Sequence, residues 1–269
     1  MTAGMEGLLL AAKIVAAAAI VVAASRATER AGPLLGAMIA TLPVSTGPVY
    51  VFLAMDHGAA FVSESARMSV AGTAATGAFI TVYAFAAQRF ATPASLALAT
   101  ATWLLSALVL QARDWSFPEA CLLTAIVFAA AIRGLRRFAV TGPAGRAPRA
   151  RYDLVLRAVL VAAVVVATTV AGDALGPAVT GVLATYPVVF TCLIVILQPP
   201  CGGRFTAAVL VTGLKGLVGF GVALAVLHLA AAKMSAAPAL LLALAVAVGW
   251  NLALYLRRAP RAVKPSSPP

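Results

Sequence analysis

Two proline-centred elements hold the residues best suited to handling a solute. Ala40-Thr41-Leu42-Pro43 and Ala184-Thr185-Tyr186-Pro187 each lie a third to a half of the way along an apolar run. Proline has no backbone N–H to donate, and its ring clashes with the preceding helical turn, so a helix breaks or kinks there. Ser45-Thr46-Gly47-Pro48 widens the first break. A break frees carbonyls and amides at bilayer depth, where they are tolerated only against protein or a wet cavity. Thr41, Pro43, Thr46, Thr185, Tyr186 and Pro187 are therefore the expected lining of a solute path through discontinuous helices. The plainer alternative is a pair of proline kinks, each with its threonine bonding back to its own helix.

Charge inside the apolar runs is the second signal. Lys13, Arg157 and Lys215 fall within them. A charge at the bilayer centre costs on the order of 3 kcal/mol on insertion scales. Lys13 and Arg157 are near enough to span ends to snorkel, whereas Lys215 lies deeper and is expected in a functional role or a buried pair. Lys13 and Lys215 are the expected charge partners of an anionic solute, together with half-helix N-termini. Glu64 is the candidate proton-coupling carboxylate. With Arg67 it also has the i, i+3 spacing of a local ion pair.

Other chemistries have no support. His57 reads as a solvated loop residue and His228 as one near a helix end. Neither has metal-ligand spacing, and no nucleophile elbow or phosphate-binding glycine loop is present. Cys121, Cys192 and Cys201 are odd in number and irregularly spaced, which argues against a disulfide framework. No enzyme activity, metal or cofactor is expected.

The elements that must position these residues are repeated along the chain. Pro33 and Pro177 are 177 − 33 = 144 residues apart, and the same shift maps Thr41 onto Thr185, Pro43 onto Pro187, Gly58 onto Gly202, Gly72 onto Gly216 and Lys13 onto Arg157. A duplicated apolar segment with glycine and proline at matched positions points to a transporter built from two repeats. Of the 269 residues, 62% are hydrophobic and 10% charged, more apolar surface than a soluble domain of this length could hide. The runs approach the roughly 20 residues that cross a bilayer as helix, and their continuity excludes a barrel of short alternating strands.

Nine spans are read: 7–25, 33–55, 59–87, 94–111, 118–135, 152–172, 175–197, 205–232 and 239–256. The first reads as a retained span because residues 1–7 lack a basic n-region. The net charge of +12 would suggest nucleic acid in a soluble protein. Here the basic residues gather in alternate loops: Arg26 and Arg30, Arg89, Arg136 to Arg151, Arg204, and the tail from Arg257. Basic loops stay cytoplasmic, which places the N-terminus outside and the C-terminus inside and makes anionic lipid the expected partner. The basic 136–151 linker and tail fall on one side only with an odd span count. The expected fold class is thus an all-α polytopic membrane protein, with about nine helices as two inverted four-helix repeats plus a joining helix. Its parts are residues 1–112, 113–151 (joining helix and basic linker), 152–256 and 257–269 (tail).

Leu8-Leu9-Leu10, Lys13-Ile14-Val15, Leu35-Gly36-Ala37-Met38-Ile39, Leu42-Pro43 and Asp56-His57-Gly58 resemble the GlpM-like family of small four-span bacterial inner-membrane proteins, over about Glu6 to Leu110. Residues from about Tyr152 to Leu256 look like a diverged second copy. There Arg157 replaces the early lysine and Pro199-Pro200-Cys201 replaces the acidic turn. The inverted four-span units are also similar to those of the drug/metabolite transporter superfamily. The resemblance implies the bacterial inner membrane. The expected function is secondary transport of a small organic anion or amphipathic metabolite by alternating access, with possible proton coupling. The alternative is a non-transporting accessory or scaffold protein of an envelope polysaccharide or lipid pathway.

Overall fold

A computed structural model describes residue 8 and residues 11–20, 22–23, 46–138 and 153–258. Every regular element among the described residues is helical. Thr41, Pro43, the Gly32-Pro33 element, most of the 136–151 linker and the tail beyond 258 lie outside them.

The helices are α1 (Ala11–Ile20), α2 (Thr46–Ala86), α3 (Thr92–Gln111), α4 (Phe117–Gly134), α5 (Asp153–Leu175), α6 (Pro177–Leu183), α7 (Val188–Ala231) and α8 (Ala236–Arg258). A 3₁₀ turn, Arg136–Phe138, follows α4. Proline within the first turn starts α3, α4 and α6, where its missing N–H has no intrahelical partner to lose. Ser116 donates its backbone N–H to Glu119 (2.9 Å), fastening the entry to α4.

Six helical stretches are long and apolar enough to cross a bilayer: Thr46–Ala86, Thr92–Gln111, Phe117–Gly134, Val155–Leu175, Pro177–Ala231 and Ala236–Arg257. This is the form of a multi-pass helical membrane protein. Its apolar residues face outward as well as inward. Leu105 and Leu108 of α3 and Leu122 and Ile126 of α4 are exposed, whereas α2 is the buried centre, with Val62, Ala66, Ala71, Phe79 and Ile80 wholly enclosed.

Two of the long helices double back at glycine. Gly58 in α2 has φ 79° and ψ −172°, and Gly202 in α7 has φ 81° and ψ 162°. This backbone region is essentially closed to residues with a Cβ. Tyr50 before the first bend reaches Ser69 after it, hydroxyl to hydroxyl at 2.6 Å. Phe190 before the second bend faces Gly213 after it. Both are the contacts of antiparallel arms.

The bends lie at opposite ends of the bundle. Around Gly58, His57 lies against Gly172 and Ser63 bonds to the His228 carbonyl (2.9 Å). Near Gly202, Gln198 accepts from the Tyr83 hydroxyl (2.9 Å) and donates to the Phe90 carbonyl (3.2 Å). The arm of α2 from 59 to 86 runs between these ends, about 40 Å at 1.5 Å per residue.

The expected span 175–197 is two helices, because the backbone leaves the helix from Ala184 to Pro187. His57 is not a solvated loop residue. The first arm of α2 carries it to the bend, where its ring stacks on Phe61 with centroids 4.2 Å apart.

Candidate solute-path site at the helix break

The interruption between α6 and α7 sits against the middle of α2. Pro187 cannot donate a backbone hydrogen bond, and it adopts φ −79°, ψ 62°, outside the helical region. The carbonyls at the end of α6 therefore lack their normal partners. Three hydroxyls from α2 take them. Ser69 Oγ donates to the Gly181 carbonyl (2.5 Å), Thr76 Oγ1 to that of Thr185 (2.9 Å), and Thr46 Oγ1 to that of Ala184 (3.3 Å). Thr185 bonds back to Val182 (2.7 Å). The break is stable at this depth because another helix satisfies it.

Sidedness on α2 makes this possible. Ser65, Ser69, Thr73 and Thr76 recur at spacings of four, four and three, which puts them on one helical face. All four are buried. Thr73 donates to the Val70 carbonyl (2.6 Å), which also accepts from Thr124 of α4 (2.6 Å). Tyr50 extends the chain of hydroxyls through Ser69.

Two aromatic residues flank the break. Tyr186 and Trp103 of α3 meet edge to face, with centroids 5.1 Å apart and planes at 90°. Trp103 is 2% exposed, yet among the described residues its indole Nε1 has no hydrogen-bond partner, and neither has Ser65 Oγ. A buried unpaired donor costs about 1–3 kcal/mol. The N-terminus of α7 presents partial positive charge to this region.

The interface is closed. A Cβ on Gly72 would fall 2.6 Å from Thr185 Oγ1, and one on Gly181 would run into the Ser65 backbone carbonyl. Glycine here allows close helix approach. The structure thus brings Thr46, Thr185, Tyr186 and Pro187 together at one place.

The remaining expected residues lie elsewhere. Lys13 of α1 pairs with Asp56 at 2.5 Å, near the Gly58 bend. Lys215 is exposed on α7, and its carbonyl accepts from Trp250 Nε1 (2.9 Å). Of the two roles its sequence depth suggested, functional or in a buried pair, its exposure rules out the buried pair. Glu64 pairs with Arg67, whose guanidinium also holds Asp114 (2.8 Å). Arg113 pairs with Glu119, and His57 Nε2 stands 3.5 Å from Asp173 without a hydrogen bond. Apart from Lys215, these groups gather at the Gly58 end.

Sequence reasoning passed over Ser69, Thr76, Tyr50 and Trp103. The spacing of Ser65, Ser69, Thr73 and Thr76 in an otherwise apolar helix was the available signal for the α2 stripe. No comparable pattern marked Trp103.

No protein-family model, curated protein or solved structure matches this chain.

Proposed function

We propose that this chain is a secondary transporter of the bacterial inner membrane, moving a small organic anion or amphipathic metabolite past the Ala184–Pro187 break. The observation that carries this reading is the break itself, a backbone interruption in an apolar span whose carbonyls are held by side-chain hydroxyls of another helix. Such bonds are exchangeable. A solute hydroxyl or water can replace Ser69, Thr76 or Thr46 without unfolding either helix. The α7 N-terminus favours a carboxylate or carbonyl oxygen on the solute, and Tyr186 offers a ring for its apolar part.

Symmetry supports alternating access. Gly58 and Gly202 are 202 − 58 = 144 residues apart, and α3 and α8 begin at Thr92 and Ala236, 236 − 92 = 144 apart. Counting α1, α3, α4, α5, α8 and each arm of the two bent stretches Thr46–Ala86 and Pro177–Ala231 gives nine helical segments among the described residues. The bends at opposite ends then correspond to inverted repeats of four spans each, joined by α4. Thr41 and Pro43, which the same 144-residue shift maps onto Thr185 and Pro187, lie outside the described residues. The resemblance of residues 6–110 to the GlpM-like family agrees with the four-span unit and with the inner membrane. The basic loops favour a cytoplasmic Gly202 end. Proton coupling through Glu64 would require its pair with Arg67 to open.

The test is flux in liposomes containing the full chain, against a panel of hydroxylated and aromatic carboxylates. Saturable uptake that Thr76→Val and Tyr186→Ala reduce supports the proposal. Absence of saturable flux from a correctly folded chain overturns it. One observation favours a second reading: the close packing of Gly72 and Gly181 seals the break. A permanently sealed bundle would act as an accessory or scaffold protein of an envelope polysaccharide or lipid pathway.

A further inference from the structure

We propose that the cavity at the Gly202 end is a binding site for the phosphate-bearing headgroup of an anionic membrane lipid. The cavity measures about 1060 Å³ and is bordered by Arg89, Arg137 and Arg204. They come from three elements: the turn after α2, the 3₁₀ turn after α4, and the start of the second arm of α7. Among the described residues no carboxylate lines the cavity. Among the described residues none of these three arginines has an acidic partner, whereas Lys13, Arg67 and Arg113 at the other end all do. The linker 139–152 and residues 259–269 contain no Asp or Glu, and the acidic residues Glu29 and Asp153 lie outside the described side chains.

Three convergent guanidinium groups without a carboxylate form an anion site. Arginine's planar fork matches phosphate oxygens in pairs. The walls decide which phosphate. Phe85 and Phe90 border the same cavity and are 44% and 51% exposed. The Arg137 guanidinium lies over the Phe85 ring, 4.9 Å from its centroid. A free phosphate would fill little of this volume and would leave the rings uncovered. A glycerophospholipid puts its phosphate among the arginines and its acyl chains along the rings and the apolar helix faces. The depth is right as well, since the cavity lies where α2 ends and α7 turns back, at headgroup level for helices of this length. Basic pockets between membrane helices on the cytoplasmic side hold anionic headgroups by this chemistry. The inference rests on the multi-pass membrane fold and is independent of transport.

The experiment uses the full chain in mild detergent, with lipid binding read by native mass spectrometry and by the thermal unfolding midpoint. The probes are phosphatidylglycerol, phosphatidylcholine with the same acyl chains, and inorganic phosphate. The variants are the double substitution Arg89→Gln/Arg204→Gln and, as control, Arg133→Gln, an exposed arginine of α4 outside the cavity. Without lipid, all three proteins should unfold at the same midpoint, because the substituted arginines have no ion pair to lose. We expect phosphatidylglycerol to bind and to raise the midpoint, with affinity at least tenfold weaker in the double variant and unchanged in the control. Equal binding of phosphatidylcholine, or undiminished phosphatidylglycerol binding by the double variant, overturns the site. Stabilisation by inorganic phosphate equal to that by lipid overturns the lipid assignment and makes the occupant a free anion.

Discussion

Within the apolar stretch Pro177–Ala231 the backbone departs from helix twice, in different ways. At Gly202 the departure is local. One glycine takes φ 81°, a Cβ there would meet open space, and Thr206 four residues on accepts the task of bonding the Gly202 carbonyl (3.0 Å). From Ala184 to Pro187 the departure depends on a partner more than 100 residues away, because Ser69, Thr76 and Thr46 of α2 take the carbonyls. The φ of the bend is supplied by its own glycine, while Gln198 and the close approach of Gly203 to the Ala87 carbonyl seat the corner against the end of α2. The break is an interface property and exists in this form only while α2 is docked. A conformational change that separates α2 from α6 leaves the Gly202 corner unchanged but trades the hydroxyl–carbonyl bonds at the break for bonds to water or solute.

The largest effect that could break this contrast is at Gly181. Gly181→Ala drives a Cβ into the Ser65 carbonyl and should lower stability by about 3 kcal/mol, the upper range for overpacking, measured by unfolding in detergent. Next is Thr76→Val, which keeps the shape but strands the Thr185 carbonyl. It should cost about 2 kcal/mol by the same measurement. Gly202→Ala should cost about 1–2 kcal/mol, purely as backbone strain, and Gly58→Ala about the same. The pair should leave solute flux less affected than Thr76→Val does. Flux lost equally at Gly202 and Thr76 would erase the distinction between corner and break. The smallest effect is at Lys13→Met, where a partly exposed pair with Asp56 near the bundle end contributes about 0.5 kcal/mol, within the range of solvent-accessible ion pairs.

Much of this was legible in the residues. Pro187 marks the break, because no neighbour can restore the N–H it lacks, and Gly58 and Gly202 stand at matched positions where only glycine takes the bend. Composition gave the helical membrane class. Side-chain facing was not legible. Lys215 has the depth of a buried charge, but the side of α7 that meets α2 is set by packing, and Leu214 beside it is the buried neighbour. His57 reads as polar and solvated, yet the bend at Gly58 sets it on Phe61 and beside Asp173. Trp103 and Tyr186 are 83 positions apart in sequence, and nothing in either local pattern announces their contact.

The most direct test of the central claim is thiol accessibility at the break. In a chain with Cys121, Cys192 and Cys201 replaced by serine or alanine, Tyr186→Cys is exposed in sealed vesicles of each orientation to a membrane-impermeant maleimide. Arg204→Cys and Lys233→Cys serve as end markers. Slow labelling of Tyr186→Cys from both sides is expected, accelerated or suppressed by a transported solute. Complete protection from both sides, while the end markers react, would contradict it and leave a sealed scaffold.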